Sequence, residues 1–147
     1  MIVALKSGGT NISEADAMQH VFGYGIGLDM TRRDLQVEMK KLGRPWEIGK
    51  AFERSAPMGP LVPASETGHL ESGAISLTVN GEDRQKGDLN QMIWKVPEQI
   101  AYLSRFYEIA SGDLIMSGRP AGVGPIKKGD VMECRIKGLA PFIVTVV

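Results

Sequence analysis

The chain has 147 residues, of which 43% are hydrophobic and 23% are charged, so it is too balanced for a disordered protein and fits one globular domain, residues 1–147. Equal numbers of basic and acidic side chains, 17 of each, give no net field that would recruit nucleic acid or an anionic membrane. The single Cys134 excludes an intrachain disulfide and a cysteine-rich zinc site, and we interpret it as a core thiol. Without an apolar run of membrane-spanning length or a signal-peptide pattern, a cytoplasmic protein is predicted.

The N-terminal residues predict a short strand and a short helix. Residues 2–5 are an apolar run with no preceding turn, as if a strand had been entered midway. Ser13, with Asp16 three residues later, predicts a cap for a helix over residues 15–20. His20 ends that helix, where an imidazole suits the helix dipole, and a catalytic role is the alternative interpretation.

Residues 22–28 alternate bulky apolar side chains with Gly23, Gly25 and Gly27. This period predicts a strand with one apolar face and one bare face, which indicates the close approach of another backbone or of a ligand. The strand delivers Asp29 into a polar turn that runs to Gln36. The carboxylate suits a hard cation and the arginines of the turn suit anionic oxygens, so the turn is either a binding site or a solvated charged turn.

The middle of the chain predicts little regular structure. Residues 37–43 predict one or two helical turns that end at Gly43, and the proline-rich residues 46–63 predict an ordered loop around Lys50. On its own Lys50 would be interpreted as a solvated lysine. Residues 64–72 are polar, and His69 among them is expected at the surface.

The C-terminal half predicts mainly strands. Residues 75–79 alternate in polarity, Asn80-Gly81 favours a type I′ turn, and a return strand is expected through Gln85. Further strands are predicted over residues 113–117, 131–136 and 142–147, with a glycine and proline loop over residues 118–125. A helix is predicted from Pro97 to about residue 110, and its apolar face comprises Ile100, Ala101, Leu103, Phe106 and Tyr107. Neither glycine-rich stretch matches a nucleotide-binding loop.

Three ordered motifs resemble the fumarylacetoacetate hydrolase family. They are GYGIGLDMTRRDLQ at residues 23–36, WEIGKAFERSAP at residues 46–57 and SGRPAGVG at residues 117–124. Within that family, residues 75–94 look most like the fumarylpyruvate hydrolases. The resemblance implies an α+β, mainly β fold, a mixed β-roll or sandwich with a few short helices that is incomplete on its N-terminal side. It also implies a homodimer.

The resemblance implies a chemistry as well. Enzymes of the family cut a carbon–carbon bond in a 1,3-dicarbonyl acid with the help of Mg²⁺ or Mn²⁺. By motif match, Asp29 would be a metal ligand, Gln36 would donate to substrate oxygens, and Lys50 would be the catalytic cation that also binds substrate near the developing enolate. Arg119 stands where the family usually has a threonine. Its guanidinium could grip a substrate carboxylate or could block the pocket.

The family's other site residues fall outside this chain by the same resemblance. A Glu-x-Glu metal motif would lie immediately before Met1, and a His and Glu base pair would lie further upstream, so we expect an incomplete site with weak or absent metal binding. Two hypotheses follow. One is a metal-dependent hydrolase of an acylpyruvate, or a related decarboxylase or tautomerase of a small oxo acid. The other is a non-catalytic relative that keeps the fold and at most binds small oxo acids.

Overall fold

Two four-stranded antiparallel sheets form the framework of the protein, whose computed structural model describes residues 1–147. The first sheet contains β1 (Ile2–Leu5), β2 (Val21–Gly25), β3 (Val62–Pro63) and β6 (Leu114–Met116), in the order β3-β2-β1-β6. The second contains β4 (Ala74–Val79), β5 (Glu82–Asp88), β7 (Val131–Ile136) and β8 (Phe142–Thr145), in the order β5-β4-β7-β8. The predicted α+β, mainly β class is confirmed.

The helices are short and lie between the strands. They are α1 (Glu14–Ala17), α2 (Arg33–Lys41), α3 (Ala64–Thr67) and α4 (Val96–Leu103), with single 3₁₀ turns at Met18–His20, Glu47–Gly49 and Leu89–Gln91. The predicted cap of α1 is confirmed, because the hydroxyl of Ser13 accepts a hydrogen bond from the Asp16 backbone N–H at 3.2 Å. None of the helices has the length and apolarity that crossing a bilayer requires.

One hydrophobic cluster of 14 buried residues joins the two sheets and α4. Val3 of β1, Tyr24 of β2 and Ile100 of α4 are each 0% exposed. Cys134 of β7 belongs to the same cluster, as predicted, and burial raises the pKa of its thiol to about 11. Every residue of β1 is buried, which explains the uninterrupted apolar run in the sequence.

The predicted hairpin between β4 and β5 is confirmed. Asn80 and Gly81 have φ angles of 52° and 83°, the two positive values that a type I′ turn requires. The return strand continues to Asp88, beyond the predicted end at Gln85. Asp88 then caps the next 3₁₀ turn, since its side chain accepts a hydrogen bond from the Asn90 N–H at 2.9 Å.

The predicted helix over residues 97–110 is too long. The structure ends α4 at Leu103, and the hydroxyl of Ser104 donates to the Ala101 carbonyl at 2.9 Å and accepts from the Ile12 N–H at 2.9 Å. Leaving the helix lets Ile109 pair with Gly9 and enter the core. Phe106 and Tyr107, assigned to the apolar face by the sequence, are therefore 64% and 67% exposed.

The chain's own backbone approaches the bare glycine face of β2 closely. A Cβ atom at Gly23 would collide with the Val62 carbonyl and the Pro63 backbone of β3. The alternation of bulky side chains is also imperfect, because Phe22 is 41% exposed whereas Tyr24 is fully buried. The glycines therefore allow β3 to pack closely against β2.

Candidate functional site

The backbone beyond β2 holds Asp29 in a fixed position. The N–H of Leu28 donates to the Pro57 carbonyl at 3.0 Å, and the N–H of Met30 donates to the Ser55 carbonyl at 2.8 Å. Asp29 lies between these two bonds, so its carboxylate is presented from a chain that is anchored on both sides.

Lys50 lies directly against Asp29. The 3₁₀ turn at Glu47–Gly49 ends at Lys50, whose Nζ is 2.5 Å from Oδ2 of Asp29 and donates to Oγ1 of Thr31 at 2.9 Å. The Lys50 side chain is 28% exposed and that of Asp29 is 54% exposed, so solvent reaches the pair. Thr31 lies within the predicted polar turn, but no sequence pattern indicated that it would be a partner of Lys50.

Gln36 is buried beside this pair. The predicted polar turn is shorter than expected, because α2 begins at Arg33 and Gln36 lies in its first turn. Gln36 is 5% exposed, and its Oε1 accepts a hydrogen bond from Nη1 of Arg33 at 2.5 Å. Its Cβ would be 3.0 Å from a Cβ added at Gly49, so the Lys50 loop packs on α2 with little room for a side chain at that position.

Two contacts between cations and aromatic rings fasten α2 to the Lys50 loop. The guanidinium carbon of Arg32 is 4.4 Å from the centroid of the Phe52 ring, and Nζ of Lys40 is 4.9 Å from that of Trp46. Such contacts contribute about 0.5–1 kcal/mol each at exposed sites. Arg32 is therefore not the merely solvated residue that one interpretation of the sequence allowed.

Helix α2 ends as the sequence predicts. Gly43 has a φ of 62°, its N–H donates to the Lys40 carbonyl at 3.2 Å, and the N–H of Arg44 donates to the Met39 carbonyl at 3.0 Å. These two bonds form a Schellman motif, which satisfies the last carbonyls of the helix. The chain is thereby returned toward the loop that carries Lys50.

Arg119 lies beyond the same end of the first sheet as Asp29. It follows β6, however, and therefore lies on the other side of β1 from Asp29. Ile2 of β1 pairs with Gly25 of β2 and with Met116 of β6, so β2 and β6 both end where β1 begins. Arg119 follows β6 and lines a groove of about 1010 Å³ whose walls include none of Asp29, Gln36 and Lys50. The structure thus brings Asp29 and Lys50 into contact and packs Gln36 against Gly49, the residue before Lys50, while Arg119 lies apart. The roles assigned to all four stay predictions.

The two histidines lie outside this site. Nδ1 of His20 is 2.9 Å from the hydroxyl of Ser7. The imidazole of His69 is exposed as predicted, yet its Nδ1 is 2.8 Å from Oη of the fully buried Tyr24. Burial raises the pKa of Tyr24 to about 12. Nothing in the sequence indicated this pair, because the two residues are far apart in the chain and belong to no shared motif.

The side chains of this chain do not by themselves fit a divalent metal ion. No group of three or more His, Cys, Asp or Glu side chains is placed to hold one. Asp29 is a single carboxylate and is already paired with Lys50. Mg²⁺ sheds its water reluctantly and needs a higher density of oxygen ligands than one carboxylate offers.

A family model and individual relatives of known name agree on the family that this chain resembles. The model of the fumarylacetoacetate (FAA) hydrolase C-terminal domain matches residues 1–147. A fumarylpyruvate hydrolase from Ralstonia sp is 41% identical over 99% of this chain and 76% of its own length. The oxaloacetate tautomerase YcgM of Escherichia coli is 43% identical over 86% of this chain and 58% of its own length.

Solved structures agree with this comparison. The crystal structure of fumarylpyruvate hydrolase from Pseudomonas aeruginosa in complex with Mn²⁺ and pyruvate superposes with a TM-score of 0.97 and 55% identity. The match covers 99% of this chain and 63% of that one. The chain thus spans less than two thirds of the length of the Pseudomonas and Escherichia coli relatives.

Proposed function

Because the chain belongs to the fumarylacetoacetate hydrolase family, we propose that it carries the enolate-stabilising part of an enzyme that acts on small oxo acids. The observation that supports this is the Lys50 ammonium, held by Asp29 and Thr31 beside the buried Gln36. Cleavage of an acylpyruvate expels an enolate, and tautomerisation of an oxo acid passes through one. A fixed cation next to the enolate oxygen lowers the barrier of either reaction.

The specific activity that we propose is hydrolysis of an acylpyruvate such as fumarylpyruvate. Water adds to the acyl carbonyl, the carbon–carbon bond to the pyruvate part breaks, and its electron pair moves onto oxygen as the enolate, which is then protonated. Lys50 would stabilise that oxygen, and the amide of Gln36, whose carbonyl is already occupied by Arg33, would offer its N–H donors to the substrate. A tautomerase or decarboxylase of a small oxo acid is the related possibility, and the name of the Escherichia coli relative supports the tautomerase.

We also propose Mg²⁺ or Mn²⁺ as the cofactor, with Asp29 as one ligand. The Pseudomonas relative contains Mn²⁺, which supports this choice of metal class. Since the chain's own side chains do not form a metal site, the remaining ligands would have to come from outside residues 1–147.

We propose in addition that the protein is a homodimer and that it is located in the cytoplasm. Exposed apolar side chains such as Val37, Trp46 and Ile48 support self-association.

One observation favours the alternative, a non-catalytic relative that binds small oxo acids. The carboxylate of Asp29 neutralises the Lys50 ammonium, and neither has a further charged partner. An ion pair of this kind can hold a loop in place without any chemistry. The fold would then be kept for binding alone.

Turnover of a chimera separates the two functions. The part of the Ralstonia relative that this chain does not cover is fused ahead of Met1, and hydrolysis of fumarylpyruvate and tautomerisation of oxaloacetate are followed with added Mn²⁺. We expect Lys50→Met to lower kcat by about a hundredfold or more with a smaller change in KM, as for the loss of one preorganised stabiliser. Lys41→Met, at an exposed lysine on α2, is the matched control. A folded, metal-loaded chimera that turns over neither substrate would contradict the enzyme and leave the binding protein.

A further inference from the structure

The stretch of chain that carries Thr31 is hydrogen bonded on both sides to the loop that carries Lys50. The N–H groups on either side of Thr31 donate to two carbonyls of that loop: Met30 to Ser55 at 2.8 Å and Arg32 to Gly49 at 2.9 Å. Because one of these carbonyls belongs to the residue directly before Lys50, the two bonds fix the backbone of Thr31 relative to the backbone of Lys50.

The side chain of Thr31 faces the Lys50 ammonium. Its Oγ1 accepts a hydrogen bond from Nζ of Lys50 at 2.9 Å, and the same hydroxyl donates to the backbone carbonyl of Asp29 at 3.4 Å. A hydroxyl has one proton to donate and two lone pairs to accept with. Since the proton is directed at the Asp29 carbonyl, the lone pairs of Oγ1 are left for the ammonium.

The ammonium of Lys50 has one donor more than the protein uses. An ammonium carries three N–H donors and no acceptor. One donor meets Oγ1 of Thr31, and another meets Oδ2 of Asp29, which is 2.5 Å from Nζ. The third has no partner in the protein, and the Lys50 side chain is 28% exposed. This third N–H is therefore the one that can reach a bound molecule.

The two partners of Lys50 differ in charge. The carboxylate of Asp29 attracts the ammonium strongly but cancels part of its positive charge, whereas the neutral hydroxyl of Thr31 holds the group without that loss. With one partner alone, the ammonium would turn about its terminal bond on a flexible four-carbon stem. Two partners prevent that rotation, so together they set the direction of the third N–H.

We propose that Thr31 is a positioning residue for the reaction, whose hydroxyl holds the Lys50 ammonium so that the free N–H points at the enolate oxygen of the substrate. This assignment rests on the proposed function. A donor that is fixed before the reaction stabilises the developing charge without having to reorganise. Since that charge is greater in the transition state than in the bound substrate, the hydroxyl of Thr31 should contribute to kcat more than to KM.

The Lys50 ammonium can be observed in the 147-residue chain without any turnover. Ammonium protons that are held in hydrogen bonds exchange slowly with water, and a ¹H–¹⁵N spectrum of the lysine side chains at low temperature then contains a signal from them. We expect such a signal from Lys50, because its ammonium has two fixed partners. The variant Lys50→Met assigns the signal by its absence.

Thr31→Val replaces the hydroxyl by a methyl group and should abolish the Lys50 signal, whereas Thr31→Ser keeps the hydroxyl and should retain it. Thr145→Val, at an exposed threonine of β8, is the matched control and should leave the signal unchanged. Thr31→Val should also keep the urea midpoint of unfolding close to that of the control, because the backbone bonds on either side of Thr31 remain. A Lys50 signal that persists in Thr31→Val, or its absence from the unaltered chain, would overturn the proposal.

Turnover by the chimera separates this proposal from the proposed function. Thr31→Val should lower kcat for fumarylpyruvate about tenfold with little change in KM, as for the loss of one hydrogen bond to a charged group, and Thr31→Ser should restore most of it. Unchanged turnover, or a loss through KM alone, would overturn the role of Thr31 and leave the hydrolase intact. A Lys50 signal that requires Thr31, in a chimera that turns over no oxo acid, would confirm the contact and contradict the hydrolase.

Discussion

Asp130 ties the β4–β5 hairpin to the start of β7. Its Oδ1 accepts from Nδ2 of Asn80 at 2.9 Å and its Oδ2 from the Lys127 N–H at 2.8 Å. The amide of Asn80 completes the junction, since its Oδ1 accepts from the Val131 N–H at 2.9 Å. The turn residue that sets the hairpin therefore also sets the register of the neighbouring strand.

Asp130 should make the stability of the fold sensitive to acid. The hydrogen bonds from Lys127 and Asn80 lower the pKa of the folded carboxyl below the ordinary 3.8. The stabilisation is therefore complete above 3.8 and is lost as pH falls through the lower, folded pKa. Asp130→Asn should lower the urea midpoint of unfolding at neutral pH, and this midpoint should then decrease less as the pH is lowered. The control is Asp83→Asn at an exposed residue, which should behave as the unaltered chain. Identical acid dependence in Asp130→Asn would contradict this account.

Individual site residues differ in how well the sequence predicted them. Asp29, Gln36 and Lys50 were named from motifs. The structure pairs Asp29 with Lys50 because the chain after β2 and the Lys50 loop are hydrogen bonded to each other, and it packs Gln36 against Gly49. The bond between Tyr24 and His69 was not foreseen. A tertiary contact between a strand and a distant loop leaves no local pattern, and only the fold creates it.

The β2–β3 pair depends on the absence of a side chain at Gly23. Gly23→Ala would drive a Cβ into the Val62 carbonyl, and backbone atoms cannot move aside as a flexible side chain can. We expect the free energy of unfolding to fall by about 3 kcal/mol, near the upper end of the range for overpacked sites, as measured by urea denaturation. Gly124→Ala is the control, because a Cβ there would meet nothing within 4 Å. Similar midpoints for the two variants would show that β3 is not held closely against β2.

Element boundaries were predicted less well than element types. Strands β1, β4 and β7 lie where alternation or apolar runs placed them, because burial fixes those patterns. Helix α2 begins four residues before the predicted start, at Arg33 instead of Val37, since the helix is held by Gln36 against Gly49 and by the contact of Arg32 with Phe52. Helix α4 ends early because Ile109 is needed in the core. Both corrections come from tertiary contacts that override local propensity.

The whole chain should bind divalent metal poorly. With Asp29 as its single carboxylate at the site, and that carboxylate paired to Lys50, we expect a Kd for Mg²⁺ or Mn²⁺ of about 1 mM or weaker. Calorimetry on the 147-residue chain measures it, and Asp29→Asn should remove what binding there is. A micromolar Kd would mean that other side chains supply the ligands and would overturn this reading of the site.

The number of predicted strands and the resemblance of the three motifs indicated the fold class of the whole protein. The order of strands within each sheet did not. Neither composition nor periodicity predicts that β1 lies between β2 and β6, because a strand's pattern records how deeply it is buried and not which neighbours it has.

The central place of β1 bears on how the protein is made. Ile2 pairs with Met116, which is translated long after it, so the first sheet has a high contact order. Until β6 leaves the ribosome, the fully apolar β1 has only β2 to cover one edge, and a strand in that condition is prone to pair with other chains. We therefore expect folding of this chain to be limited by late closure of the first sheet and to gain from chaperones that shield nascent strands.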